Sequence, residues 1–130
     1  MNVFKQIIKG KIKSYKIYEN KNNIAILDKY PIIYGHTLCI PKNIKTGNIF
    51  NLKIKKYISL MKFTYKMANI LKKIIKCKKI SLSVVGLEID YVHIHLIPIN
   101  KISDLNFKNK IKITNKKLIS LLKKIKKNIS

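Results

Sequence analysis

The stretch Asp90-Tyr91-Val92-His93-Ile94-His95-Leu96-Ile97-Pro98-Ile99 constrains this chain more than any other. It sets two of the three histidines two residues apart in an apolar, β-branched run. Such a run reads as a strand, and the motif strand is expected over residues 91–98. Side chains alternate along a strand, so Tyr91, His93 and His95 project to one side and Val92, Ile94 and Leu96 to the other. One face packs and the other presents imidazoles. A second stretch, Asp28-Lys29-Tyr30-Pro31-Ile32-Ile33-Tyr34-Gly35-His36-Thr37-Leu38-Cys39-Ile40-Pro41-Lys42, holds the third histidine between a proline-containing turn and an apolar strand that Pro41 ends.

Around these stretches the chain reads as short alternating elements. The first ten residues are expected to form a helix with Phe4, Ile7 and Ile8 on its buried face and Gly10 at its end. Residues 14–19 and 24–28 are β-prone and flank Asn20-Lys21-Asn22-Asn23, which predicts a hairpin. Over 52–76, Ile54, Ile58, Met61, Tyr65, Ala68, Leu71 and Ile75 recur at three- and four-residue intervals, with Lys filling much of the other face. That spacing predicts an amphipathic helix. A strand over 80–85 follows, with Gly86 as a break. Residues 100–115 read as a polar loop with one short strand around 111–113. Leu118, Leu121, Leu122, Ile125 and Ile129 trace a terminal amphipathic helix over about 116–129. It is expected to pack on the sheet or a partner subunit, with a basic membrane-surface helix as the competing reading. The expected fold is α+β in a single domain, residues 1–130: an antiparallel sheet of about five strands, a long crossover helix and small terminal helices.

Twenty-nine Lys and no Arg stand against five acidic residues, a net charge of +24. The excess is spread along the chain beside abundant Ile and Asn, all residues with A/T-rich codons, so drift in base composition accounts for it. Without Arg the chain also lacks the side chain best suited to bidentate phosphate or guanine contacts. No specific nucleic-acid partner is expected, only weak, salt-dependent attraction to polyanions. Cys39 and Cys77 are isolated, which indicates neither a zinc ribbon nor a disulfide framework. The N-terminus lacks a secretory signal and no segment approaches the about 18 uninterrupted apolar residues of a membrane span, so a cytoplasmic protein without membrane association is expected.

Tyr91-Val92-His93-Ile94-His95-Leu96-Ile97 resembles the His-φ-His-φ-His-φ-φ signature of the histidine triad (HIT) nucleotide hydrolases and transferases, where φ is apolar and Tyr91 replaces the first histidine. The second stretch is also similar to that family, in its Asp28-x-x-Pro31 turn, Gly35-His36 step and Ile40-Pro41-Lys42 strand end, preceded by Ala25-Ile26-Leu27. The resemblance covers most of residues 4–99. It implies a HIT-like fold, a homodimer, and a metal-independent, cofactor-free hydrolase or transferase of purine nucleotide conjugates, either nucleoside phosphoramidates or dinucleoside polyphosphates.

The roles implied by the resemblance agree with the chemistry of the residue types. A neutral imidazole is a good nucleophile at neutral pH, and His93 matches the position that attacks the α-phosphate to form a nucleotidyl-histidine intermediate. His95 would hydrogen-bond phosphate or the departing group, and His36 would donate toward phosphate oxygens or orient the cluster. Asp28 matches the ribose ligand, since a vicinal diol offers two donors to one acceptor-only carboxylate; as a local feature it equally suits a turn residue capping its own backbone. Phe4, Ile7, Leu27 and Lys29 are candidates to wall the base, and Lys29 and Tyr91 join Asp28 as candidate nucleotide-binding residues. A phenol at Tyr91 keeps the backbone of the motif but cannot carry a proton near neutral pH.

Gly86-Leu87-Glu88-Ile89-Asp90 and Pro98-Ile99-Asn100 lack polar and basic phosphate contacts found in many members. A catalytically impaired nucleotide-binding relic is therefore the first alternative. A zinc hydrolase is another, because His-x-His plus a distant His can build a three-histidine site. By strand parity Glu88 and Asp90 face away from His93 and His95, which leaves few carboxylates for a hard cation. A polyanion-binding module is the remaining alternative.

Overall fold

The computed structural model describes residues 2–129. Met1, the first residue of the expected N-terminal helix, and Ser130, the last of the expected domain, lie outside the described residues. In chain order the elements are α1 (Val3–Ile8), β1 (Tyr15–Glu19), β2 (Asn23–Leu27), β3 (Thr37–Pro41), α2 (Ile54–Ile74), β4 (Lys79–Ser83), β5 (Ile94–Ile99) and α3 (Asn115–Lys127), with short 3-10 turns at Ile49–Asn51 and Ile102–Asp104. The strands form one antiparallel sheet in the order β1-β2-β3-β5-β4. The β1–β2 hairpin closes through Asn20, whose side chain accepts from the Asn22 and Asn23 backbone N–H groups. The 21-residue helix α2 carries the chain from β3 to β4.

Helices α2 and α3 cover one face of the sheet. Leu118, Leu121 and Ile125 of α3 and Leu60, Phe63, Met67, Ile70 and Leu71 of α2 are buried in one apolar core with the inward residues of the strands. The apolar stripe of α3 thus lies against protein. No helix among the described residues is long and apolar enough to cross a membrane. Strands β2 and β3 are buried at every position, because the face opposite α2 is also covered, by α1 and by loops around the histidines.

Three local expectations are corrected. The stripe assigned to the face of α2 is only partly right: Leu71 is buried and Met61, Ala68 and Ile75 pack against the core, but Ile54, Ile58 and Tyr65 are exposed, while Phe63, Thr64, Met67 and Ile70, outside the stripe, face the core. The helix has apolar residues on two faces, and the sheet accepts the one carrying Phe63 and Met67. Residues 111–113 form no strand; the Ile111 N–H donates to the Pro31 carbonyl at 2.8 Å, pinning that loop to the turn before His36. Strand pairing in the motif begins at Ile94 rather than Tyr91. Strand β3 ends at Pro41, and the Val92 N–H instead donates to the carbonyl of Thr46 in the loop beyond it, at 3.1 Å.

Candidate active site

Register brings the histidines together. Leu38 pairs with His95 and Ile26 with Leu38, so Ile26, Leu38 and His95 form a row across three strands on the face away from α2. His36 sits just before β3. Gly35 precedes it with φ +92°, a conformation that side chains other than glycine rarely adopt, and a Cβ there would lie 2.2 Å from Ile75 Cδ1. This turn is fixed by bonds from the His36 N–H to the Ile33 carbonyl and from Thr37 Oγ1 to the Gly35 carbonyl.

The approach to His93 is also built by close packing. Gly47 lies against Asp90, where a Cβ would fall 1.7 Å from Oδ1 and 3.0 Å from the Asp90 carbonyl carbon. This contact and the Val92–Thr46 bond seat the segment that delivers His93.

Hydrogen bonds determine where the imidazole protons lie. His93 Nδ1 is 2.7 Å from the Tyr91 carbonyl, which only accepts, so Nδ1 carries the proton and Nε2 keeps its lone pair. The Ile32 N–H donates to His36 Nδ1 at 3.2 Å, so the His36 proton is on Nε2, which donates to His95 Nδ1 at 2.9 Å. His95 is left with an Nε2–H donor. The His93 and His95 ring centroids are 4.8 Å apart, which sets an acceptor-type nucleophile beside a donor.

Burial keeps the cluster neutral. His36, His93 and His95 are 1%, 5% and 9% exposed. Desolvation pushes His36 down to about 4 and His95 to about 3, with neighbouring positive charge adding to both; it lowers His93 as well, against the opposing pull of the Tyr91 carbonyl and the Asp28 and Glu88 carboxylates.

The cluster forms one wall of a cavity of about 560 Å³. Phe4, Ile7, Leu27, Asp28 and Lys29 line it, as do all three histidines. Phe4 lies 4.8 Å from the His93 ring. Asp28 plays its local role too: Oδ1 accepts from the Tyr30 N–H at 2.9 Å, while Oδ2 stands 3.8 Å from His36 Nδ1. Its carboxyl is raised above the ordinary value, chiefly by burial.

Tyr91 is not part of the cavity wall. Its ring is buried, 6.3 Å from Phe4, and its hydroxyl donates to the Pro41 carbonyl at 2.6 Å. What reaches the site from Tyr91 is its main-chain oxygen.

Glu88 corrects the parity reading. The chain from 84 to 93 is not a strand, and its turns bring Glu88 into the cavity wall on the same side as His93. Even so, no group of three or more His, Cys, Asp or Glu among the described residues is arranged to hold a metal ion. His36 Nε2 and His95 Nδ1 are bonded to each other rather than aimed at a common point.

The sequence reading missed Phe107 and Lys110, which line the cavity from the loop before α3. The Phe107 ring lies 5.1 Å from His95 and 6.5 Å from His36. One signal was present: Phe107 is the only Phe, Tyr or Trp after Tyr91.

Comparison with known proteins agrees with this geometry. The HIT domain model matches residues 9–102. An uncharacterized HIT-like protein of Borreliella burgdorferi is 32% identical, over 98% of this chain and 97% of its own. An adenosine 5'-monophosphoramidase of Saccharomyces cerevisiae is 31% identical over 74% of this chain and 61% of its own length. Among solved structures, a Hit-like protein of Bartonella henselae superposes with a TM-score of 0.83 at 27% identity, covering 98% of this chain and 96% of that one. A domain match over most of the sequence and a relative aligned nearly end to end establish that this chain belongs to the HIT family.

Proposed function

We propose that this protein is a hydrolase or transferase of purine nucleotide conjugates that works through a nucleotidyl-His93 intermediate. One observation carries the reading: the Tyr91 carbonyl fixes the His93 proton on Nδ1 and leaves an Nε2 lone pair in a cavity whose imidazoles are all held neutral. Nε2 attacks the α-phosphorus, forming a P–N bond as the bond to the leaving group breaks with its electron pair. The His95 Nε2–H stands beside it to hydrogen-bond a phosphate oxygen or the departing atom. His36 acts as a positioning residue, since both its ring nitrogens are occupied and it fixes the tautomer of His95. Water then adds hydroxide to phosphorus, the P–N electron pair returns to Nε2, and the remaining proton passes to solvent. Transfer to another acceptor follows the same course.

Asp28 Oδ2 is suited to ribose hydroxyls, and Phe4, Ile7 and Leu27 to a base. The family and the named activity of the yeast relative support the same reading. Tyr91 stands at the position of the first motif histidine, and its buried phenol leaves the backbone contact to His93 in place. A homodimer is part of the proposal: the outer edge of β4 has no partner strand among the described residues, and Ile54, Ile58 and Tyr65 expose an apolar face of α2.

The test is AMP release from adenosine monophosphoramidate and diadenosine polyphosphate in chelator. Wild type is expected to turn over at least one, and His93→Ala neither. Saturable AMP binding without turnover would leave only a nucleotide-binding relic. Binding that is indifferent to His93 and falls steeply with salt would leave a polyanion-binding module.

A further inference from the structure

We propose that the Pro31–Ile32 peptide group and the Ile111 amide act as positioning groups for His95: through one hydrogen-bonded chain they hold its Nε2 in the proton-donating state. What His95 does with that proton rests on the function proposed above, whereas the chain of bonds can be read without it.

Both ends of a single peptide group are used at once. Its carbonyl oxygen, from Pro31, accepts from the Ile111 N–H at 2.8 Å, and its N–H, from Ile32, donates to His36 Nδ1 at 3.2 Å. His36 Nε2 then donates to His95 Nδ1 at 2.9 Å. Every bond in the series runs in the same direction, so a donor at Ile111 emerges as a donor at His95 Nε2. Bonds in series polarise one another, by roughly 10–30% each. Pro31, Ile32, His36 and His95 are all buried, so water competes little for any of these groups.

A rival arrangement lies close by. Asp28 Oδ2 stands 3.8 Å from His36 Nδ1. If that nitrogen carried the proton, it would donate to the carboxylate, and Nε2 would have to accept from a His95 Nδ1–H. His95 Nε2 would then present a lone pair, which repels phosphate oxygens and offers a departing group no donor. The Ile32 N–H excludes this state, because two hydrogens cannot occupy the space between it and Nδ1. Its direction is fixed in turn by Ile111: the peptide is planar, so holding the carbonyl oxygen on one side aims the N–H on the other.

The segment that supplies the Ile111 amide is itself fixed. The Asn109 N–H bonds to the Asn106 carbonyl and the Lys108 N–H to Asn106 Oδ1, each at 3.1 Å, which closes a turn. Phe107, in that turn, packs its ring 5.1 Å from His95. The Ile111 side chain is exposed, so the contribution of this residue to the chain of bonds is its main-chain N–H. The loop therefore meets His95 twice, once through a ring and once through the peptide group behind His36.

The experiment reads the proton positions from imidazole nitrogen NMR shifts at neutral pH, in wild type, Ile111→Pro, Ile111→Ala and Phe107→Ala. Proline deletes the amide hydrogen at 111, whereas alanine keeps it and trims the side chain. Wild type is expected to carry the proton on Nε2 of both His36 and His95. Ile111→Pro should draw both protons toward Nδ1 and lower kcat about five- to tenfold, the scale of one hydrogen bond lost from a buried network, with KM within about twofold. Ile111→Ala and Phe107→Ala should leave both protons on Nε2, and adding Asp28→Ala to Ile111→Pro should return them there by removing the rival acceptor. His93 is the internal control, since the Tyr91 carbonyl keeps its proton on Nδ1 in every variant. Unmoved protons in Ile111→Pro, the same movement in either alanine variant or at His93, no return in the double variant, or moved protons with kcat unchanged would each overturn the inference. If wild type turns over no nucleotide, the function proposed above fails alone, and the nitrogen shifts still decide whether Ile111 positions His95.

Discussion

Replacing Tyr91 by Phe separates two roles that the position could have. The phenol is buried and its hydroxyl donates to the Pro41 carbonyl at 2.6 Å, across 50 residues of sequence, whereas the contact to His93 is made by the Tyr91 main-chain oxygen at 2.7 Å. The substitution deletes the first bond and leaves the second. Removing the donor from a buried carbonyl costs about 1–3 kcal/mol. For a domain of this size that lowers Tm by roughly 3–10 °C. The Phe4–Tyr91 ring contact is preserved because only the oxygen is lost. Urea unfolding followed by circular dichroism gives the stability change, and AMP release by the folded fraction gives the kinetic one. The midpoint is expected to fall, with kcat/KM remaining within about twofold of wild type. A drop in activity of about tenfold or more with an unchanged urea midpoint would refute the reasoning, because the phenol would then be acting on the chemistry rather than on the fold.

Three further outcomes follow from the geometry. His36 and His95, held by burial at about 4 and about 3, bind fewer protons folded than unfolded; their contribution is complete above about pH 6.5 and is lost as pH falls, at about 1.4 kcal/mol per histidine per pH unit. Asp28, raised by burial, opposes this only as pH nears the carboxylate range, so the urea midpoint should fall between pH 7.5 and pH 5, and a flat profile would contradict the buried neutral cluster. Gly47→Ala places a methyl against Asp90 and is expected to destabilise by about 1–3 kcal/mol, with Gly47→Ala/Asp90→Ala recovering part of that loss; strict additivity in a double-mutant cycle would exclude the contact. Phe107→Ala removes the ring beside His95 and should move its titration, followed by NMR, upward toward the ordinary histidine value; no movement would show that Phe107 does not shield the cluster.

Much of this protein is written locally. Alternation over Ile94-His95-Leu96 separates a packing face from a chemical one, because strand geometry has a period of two wherever the strand occurs. The Gly35-His36 step, the Asn-rich hairpin and the stripe of α3 are legible for similar reasons: each depends on neighbours within a few residues. The phase of α2 was legible only in part, since a helix with Ile54, Ile58 and Tyr65 on one side and Phe63, Met67 and Ile70 on another offers two apolar faces, and of the expected stripe only the side near Leu71 meets the core. Only the sheet it meets selects between them. Tertiary structure likewise turned Glu88 into the cavity, by breaking the strand whose parity would have sent it away. It also folded a polar loop back so that the Phe107 ring packs near His95 and His36 and Lys110 lines the same cavity. The protonation pattern belongs to the same category. His36 and His95 are 59 residues apart, and the 2.9 Å bond that sets the tautomer of one from the other exists only after β3 and β5 pair. The sequence determined which chemical groups the site has, because residue type and local period are properties of the chain. Packing between distant elements decided which nitrogen carries a proton, which charges line the cavity and which surface stays open.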